Sequence, residues 1–210
     1  MAFPVPIASV LTGATIAQLA YWRKDTPSAS ALLVPEGKRS GRYLYSWADV
    51  VALRSIVYLR SEKSLPRIRR SVATLRALEA DEWTHLSSYS LISTKRSILV
   101  RTPNGQLLDV GSHPGTVLEE TLMRDVLESF ETSTGRVVPA LKRPRPHITV
   151  DPGVLGGYPV LAGTRVPFDA VAALTKDRLD ADEIRAIYPS VQREAIADAT
   201  AFAEQVATAA

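Results

Sequence analysis

Apolar residues recur along the first eighty positions at spacings that alternate between helix and strand. Ile7-Ala8-Ser9-Val10-Leu11 is a short apolar helix candidate stopped at Thr12-Gly13-Ala14, and Thr15 can cap a second helix running to about Arg23. Leu32-Leu33-Val34-Pro35 then leads through Glu36-Gly37-Lys38-Arg39-Ser40-Gly41 into Arg42-Tyr43-Leu44-Tyr45, which predicts an alternating strand on a basic, glycine-bearing loop. Ser46, three residues before the carboxylate of Asp49, caps a helix carrying Val50, Leu53, Ile56, Val57 and Leu59. A further helix opens at Ser64-Leu65-Pro66, with Ile68, Val72, Leu75 and Leu78 on its apolar face and Arg67, Arg69, Arg70 and Arg76 largely outside it.

The pattern then shifts to strands. Residues 84–92 and 97–101 alternate, and Pro103-Asn104-Gly105-Gln106 is a hairpin signal before Leu107-Leu108-Asp109-Val110, so a small antiparallel sheet is expected. From Thr116 a helix is expected to about Phe130. Its adjacent acids Glu119 and Glu120 cannot face each other on a helix, so a solvated face is favoured over acid/base or metal chemistry. Proline and base crowd into Pro139-Ala140-Leu141-Lys142-Arg143-Pro144-Arg145-Pro146, which reads as a stiff linker. Beyond it, His147-Ile148-Thr149-Val150 is a short strand. The glycines and prolines between Asp151 and Pro167 demand tight turns, and three helices follow: one from about Phe168, one capped by Asp180 with Glu183, and a last one capped by Ser190. The expected division is 1–80, 81–138, the linker 139–146, and 147–210. The expected class is α+β, mostly helical, with a small antiparallel middle region and a C-terminal β segment plus trihelical unit.

Composition narrows the function classes. There is no cysteine, which excludes disulfides and thiolate metal sites; His85, His113 and His147 stand far apart; and no apolar run reaches bilayer length. With an N-terminus unlike a secretory signal, a cytoplasmic protein is expected. Charge is unevenly spread: residues 1–80 hold 12 Lys/Arg against 5 Asp/Glu, whereas residues 145–210 hold 6 against 9. A basic first third suggests a nucleic-acid contact and an acidic last third a protein contact. No nucleophile–base pair, metal spacing or phosphate loop is legible, and the scattered acids Asp81, Asp109 and Asp125 are poor candidates for a nuclease, so neither an enzyme nor a cofactor is expected.

The run Ile7…Leu11-Thr12-Gly13-Ala14-Thr15…Leu19…Tyr21-Trp22…Leu33…Pro35…Gly41-Arg42-Tyr43…Tyr45…Asp49-Val50…Leu53 resembles the winged helix-turn-helix domain of MerR-type regulators. The resemblance implies that the helix Thr15–Lys24 enters the major groove, with Thr15, Gln18, Tyr21, Arg23 and Lys24 near DNA. It also implies that Lys38, Arg39, Arg42 and Tyr43 of the wing hold phosphates. Ala17 and Ala20 stand where that family usually carries arginines, leaving Gln18 as the main reader of a base edge. The chain also turns to strands where those regulators have a long dimerisation helix.

A second resemblance rests on Gly156-Gly157-Tyr158-Pro159-Val160-Leu161-Ala162-Gly163-Thr164-Arg165-Val166-Pro167 with Ala181-Asp182-Glu183-Ile184 and Ile187-Tyr188-Pro189. It looks like a bacterial domain of unknown function found in VapB-like antitoxins encoded beside PIN-domain toxins. By that likeness the chain is an antitoxin that silences a PIN-domain ribonuclease and binds its own operator DNA, as a homodimer or a larger assembly with the toxin. Arg143, Arg145, Gly157, Pro159, Gly163, Thr164, Arg165 and Pro167 are then the candidates for toxin contact or dimerisation, with no metal or catalytic residue of its own. The alternative is a stand-alone MerR-like regulator sensing a ligand through the middle region.

Overall fold

Residues 3–27, 29–35, 37–78, 86, 90–93, 98–102, 107–110 and 127–209 are described in the computed structural model of the chain. Strand β1 (Phe3–Pro4) runs directly into α1 (Val5–Thr12), where Pro6 sits in the first turn and forfeits an N–H that has no helical partner there. Helix α1 ends at Gly13, whose φ of 78° is left-handed and whose N–H closes on the Ser9 carbonyl at 3.0 Å. Thr15 then caps α2 (Ile16–Trp22) in a reciprocal box. Its hydroxyl accepts from the Gln18 N–H, and the Gln18 side chain accepts from the Thr15 N–H.

The chain returns through Leu32, whose N–H reaches the Trp22 carbonyl at 2.7 Å, to the hairpin of β2 (Gly37–Arg39) and β3 (Arg42–Tyr45). Only Ser40 and Gly41 join these strands, both at positive φ, as a two-residue turn requires to match the strand twist. Strand β1 pairs with the other edge of β3, giving the order β1-β3-β2. Ser46 and Asp49 form a second capping box on α3 (Trp47–Leu59), and α4 (Leu65–Leu78) follows. Ile68, Val72 and Leu75 of α4 are buried as expected, but Leu78 is 47% exposed.

In the middle region β4 (Ser90–Ser93), β5 (Ile98–Arg101) and β6 (Leu107–Asp109) form the expected antiparallel sheet in that order. The turn at 103–106 and most of the helix expected from Thr116 lie outside the described residues. That helix does not reach Phe130, which belongs to β7 (Phe130–Glu131), paired with β8 (Val137–Val138). The reason is visible in the backbone. The Leu127 carbonyl accepts from the Leu141 N–H at 2.8 Å and the Glu128 carbonyl from Arg54 at 2.7 Å, so both are bonded to distant segments.

Residues 139–146, expected as a stiff linker, lie packed. Leu141 is fully buried, the Lys142 carbonyl accepts from the Val150 N–H, and Arg145 donates to the Ala201 carbonyl. Beyond them come β9 (Ile148–Thr149), a 3-10 turn at Leu155–Gly157, β10 (Val160–Leu161) antiparallel to β9, then α5 (Phe168–Lys176), α6 (Ala181–Ile187) and α7 (Arg193–Ala209). Helix α7 starts at Arg193 rather than at Ser190, because Val191 is buried in the preceding turn with its N–H on the Tyr188 carbonyl.

The architecture is α+β and largely helical, with small antiparallel sheets. One apolar cluster joins the two ends of the chain: Phe3, Leu11 and Leu53 belong to it together with Leu141, Phe168 and Phe202. Helix α7 packs on both α5 and α1. Phe202 meets Phe168 edge-on at 4.8 Å, and side chains of this size each contribute about 1.5–3 kcal/mol by leaving water. No single helix among the described residues is long and apolar enough to cross a membrane; α1 and α2 together would be, but they are bent by 99°.

Candidate nucleic-acid interface

Helix α2 and the β2–β3 hairpin bring together residues far apart in the chain. Arg23, the C-terminal cap of α2, sets its guanidinium 4.4 Å from the centre of the Tyr43 ring, and the Lys38 ammonium lies at the same distance from that ring. Lys38 and Tyr43 are direct partners in the register of the hairpin, so strand pairing itself fixes this contact. Arg23 also donates to the Tyr45 hydroxyl at 3.3 Å; burial raises the pKa of that phenol, and the Arg23 cation opposes the rise. Arg39 and Arg42 stand opposite each other at the hairpin turn, both exposed. Two cations thus flank one half-buried tyrosine, and Arg39 and Arg42 add two more at the tip of the same hairpin. Such a group can hold phosphate oxygens while the aromatic ring keeps two of the long side chains from wandering.

The remaining residues expected on DNA divide. Lys24 is exposed at the end of α2, and Tyr21 is 49% exposed with the Arg69 guanidinium 5.0 Å from its ring centre. Thr15 and Gln18 are committed to the cap of α2. A bidentate contact with adenine needs both the amide oxygen and the amide nitrogen of Gln18, and the oxygen already accepts from the Thr15 N–H at 2.9 Å. The amide nitrogen and one lone pair of the oxygen remain, with the side chain held against the end of its own helix. With Ala17 exposed beside it, α2 offers little that can read a base.

The groove under the hairpin is lined by Pro4, Ile16, Arg23, Arg42 and Leu44, and also by Tyr158 from the C-terminal part of the chain. Tyr158 donates its hydroxyl to Asp169 at 2.7 Å and stacks on Phe168; burial first, then that hydrogen bond and charge, push its pKa well up. Nothing in the residue types predicted this approach. Gly157 makes it possible: at φ 89° its face lies on Phe3 and Trp47, where an added Cβ would stand 3.2 Å and 3.5 Å from their rings.

The C-terminal candidates are spread over different surroundings. Gly157 and Pro159 are buried within the chain. Thr164 is used locally, donating to the Leu161 carbonyl and accepting from the Val166 N–H, and Pro167 is the residue from which α5 starts. Arg145 is tied to α7 by its bond to the Ala201 carbonyl. Gly163, Arg165 and Arg143 are exposed, and among the described residues neither arginine makes an ion pair or hydrogen bond. Among the described residues no three His, Asp or Glu stand together as metal ligands; Asp109 is buried in β6, while Asp81 and Asp125 lie outside the described residues.

Residues 148–203 match the family described as "Protein of unknown function (DUF433)". The match takes in β9, β10, α5, α6 and most of α7, and it contains both Gly157 and Tyr158. The chain is also similar to "Uncharacterized protein y4eO" of Sinorhizobium fredii (strain NBRC 101917 / NGR234), at 28% identity over 167 residues, covering 73% of this chain and 75% of that one. That likeness therefore extends beyond the DUF433 segment into the part of the chain before it. No solved structure matches.

Arg54 is the functional-looking residue that sequence reasoning missed. It is fully buried in α3 and donates to the carbonyls of Leu11, Glu128 and Pro139, with its guanidinium 5.1 Å from the Phe130 ring centre. Burial lowers its pKa to about 10, and the Glu128 charge opposes the fall. Its role is to tie the end of α1 to the segments on either side of β7 and β8. The signal in the sequence was an arginine amid Val50, Leu53, Ile56 and Val57, a charge on an apolar helix face.

Proposed function

We propose that this protein is a DNA-binding antitoxin of the VapB kind, whose N-terminal winged unit grips the backbone of its own operator and whose C-terminal part engages a PIN-domain ribonuclease. The observation that carries the DNA reading is the basic hairpin, with Arg23 and Lys38 on the Tyr43 ring and Arg39 and Arg42 exposed at its tip. It supports a phosphate grip with sparse base readout, so operator choice comes from several copies binding together. The toxin reading is supported by the likeness of the Gly156–Pro167 run to antitoxin-associated domains and by the exposed, unpaired Arg143 and Arg165. Such cations suit the acidic cleft of a metal-dependent nuclease.

Two measurements test it. Binding of a duplex from the region upstream of the gene is followed by fluorescence anisotropy at several salt concentrations. Arg39→Ala with Arg42→Ala is expected to weaken binding and to reduce the salt slope by about 2, since each lost phosphate contact removes about 0.9; an unchanged slope removes the hairpin from the interface. Co-expression with the neighbouring gene product should yield a complex in which ribonuclease activity is silenced. A chain that binds DNA but captures no nuclease would instead be a stand-alone regulator.

A further inference from the structure

Between the end of α2, the segment 26–32 and α4 lies a cavity of about 520 Å³, a size typical of small-molecule sites, which run from roughly 300 to 1,000 Å³. Leu32, Leu65 and Val72 give it apolar walls, and Arg69, Arg70 and Arg76 line it as well. Arg69 spends one nitrogen on the Ser30 carbonyl, Nη1 donating at 2.7 Å. Its other edge, Nε and Nη2, is buried and has no hydrogen-bond partner among the described residues. That edge presents two parallel N–H groups, the geometry that matches the two oxygens of a carboxylate. Buried donors on a charged group are costly to leave unpaired. The Tyr21 ring stands over this guanidinium at 5.0 Å and is 49% exposed, so it lies at the rim of the cavity. Arg76 donates to the Leu32 carbonyl, burial lowers its pKa, and the nearby Asp25 only partly offsets this while its Oδ1 accepts from the Ala31 N–H.

We propose that this cavity binds a small carboxylate with an apolar body, its carboxylate on the Nε–Nη2 edge of Arg69 and its body against Leu32, Leu65 and Val72, with Tyr21 swinging aside to admit it. A duplex phosphate is the other source of paired anionic oxygens. The geometry favours the small acid, because the unpaired edge is buried and Leu32, Leu65 and Val72 wall the cavity beside it. The inference is independent of the DNA reading.

The test is calorimetric titration of the full chain with benzoate, isovalerate, benzyl alcohol and inorganic phosphate. At least one of the two acids should bind saturably, with the neutral alcohol and phosphate at least about tenfold weaker. Arg69→Gln should weaken the acid at least about tenfold, and Arg69→Lys, which keeps the charge but loses the paired edge, should not restore it. Ala73→Trp, at an exposed position lining the cavity, fills the site without touching the core and should abolish binding. The proposal is overturned if neither acid saturates, if phosphate binds as tightly as the acids, or if binding survives Ala73→Trp.

Discussion

Replacing Gly13 by alanine tests how the turn between α1 and α2 is held. At Gly13 the backbone φ is 78°, and an added Cβ would sit 2.3 Å from Val138 Cγ2 and 3.4 Å from its Cγ1. Two penalties follow. A side chain in the left-handed region costs about 1–2 kcal/mol, and forcing a methyl against a fully buried valine adds about 1–3 kcal/mol of overpacking. Gly13→Ala should therefore destabilise by about 2–5 kcal/mol, a large share of an ordinary stability of about 5–15 kcal/mol. Val138→Ala alone should cost about 2 kcal/mol from lost burial and the cavity left behind. In the double variant the new methyl enters space that Val138 has vacated, so the overpacking term disappears and the total should fall short of the sum by at least about 1 kcal/mol. Urea unfolding followed by tryptophan fluorescence gives these values, provided the slope of free energy against urea stays constant. Additivity within about 0.5 kcal/mol would mean that β8 does not rest on this turn, and the packing of residues 137–141 against α1 would have to be abandoned.

Other expectations concern single side chains. Arg54→Met should destabilise by at least about 3 kcal/mol, because three carbonyls lose a buried charged donor, and Arg54→Lys should recover only part of this since an ammonium cannot span all three; a loss below about 1 kcal/mol in either variant would refute the tie. Tyr158→Phe should cost about 1 kcal/mol at neutral pH through the lost bond to Asp169. Because the folded pKa of Tyr158 is raised, its contribution is fully present below the unfolded value of 10.0 and drains away as pH rises past it. The gap between wild type and Tyr158→Phe should accordingly narrow in alkaline denaturation curves, and a widening gap would contradict the assigned hydrogen bond. Gln18→Ala should cost about 0.5–1 kcal/mol by opening the cap of α2 while leaving the salt slope of DNA binding unchanged. A steep loss of sequence discrimination without loss of stability would show that its amide reads a base.

The features legible in the sequence are those written over three or four neighbouring residues. Thr15, Ser46 with Asp49, and Asp180 with Glu183 cap their helices in the expected manner, since a capping side chain reaches an N–H only two or three positions along; that Gln18 closes the box with Thr15 was not expected. The three-stranded middle sheet follows from equally local rules, whereas Gly37–Arg39, expected within a loop, pairs with residues 42–44 as a strand. A chemical role is harder to read, because Gln18 looks the same whether its oxygen faces a base or caps its own helix. Tertiary structure alone decided that the proline-rich stretch 139–146 packs rather than spans, that Arg54 reaches carbonyls 74 and 85 residues away, and that Gly157 lets Tyr158 line the groove beneath the basic hairpin. The physical reason is common to all three. Their partners are backbone carbonyls, ring faces and the absence of a side chain, none of which leaves a residue-type signature at the distant position, whereas a cap or a turn carries both of its partners in the same short word of sequence.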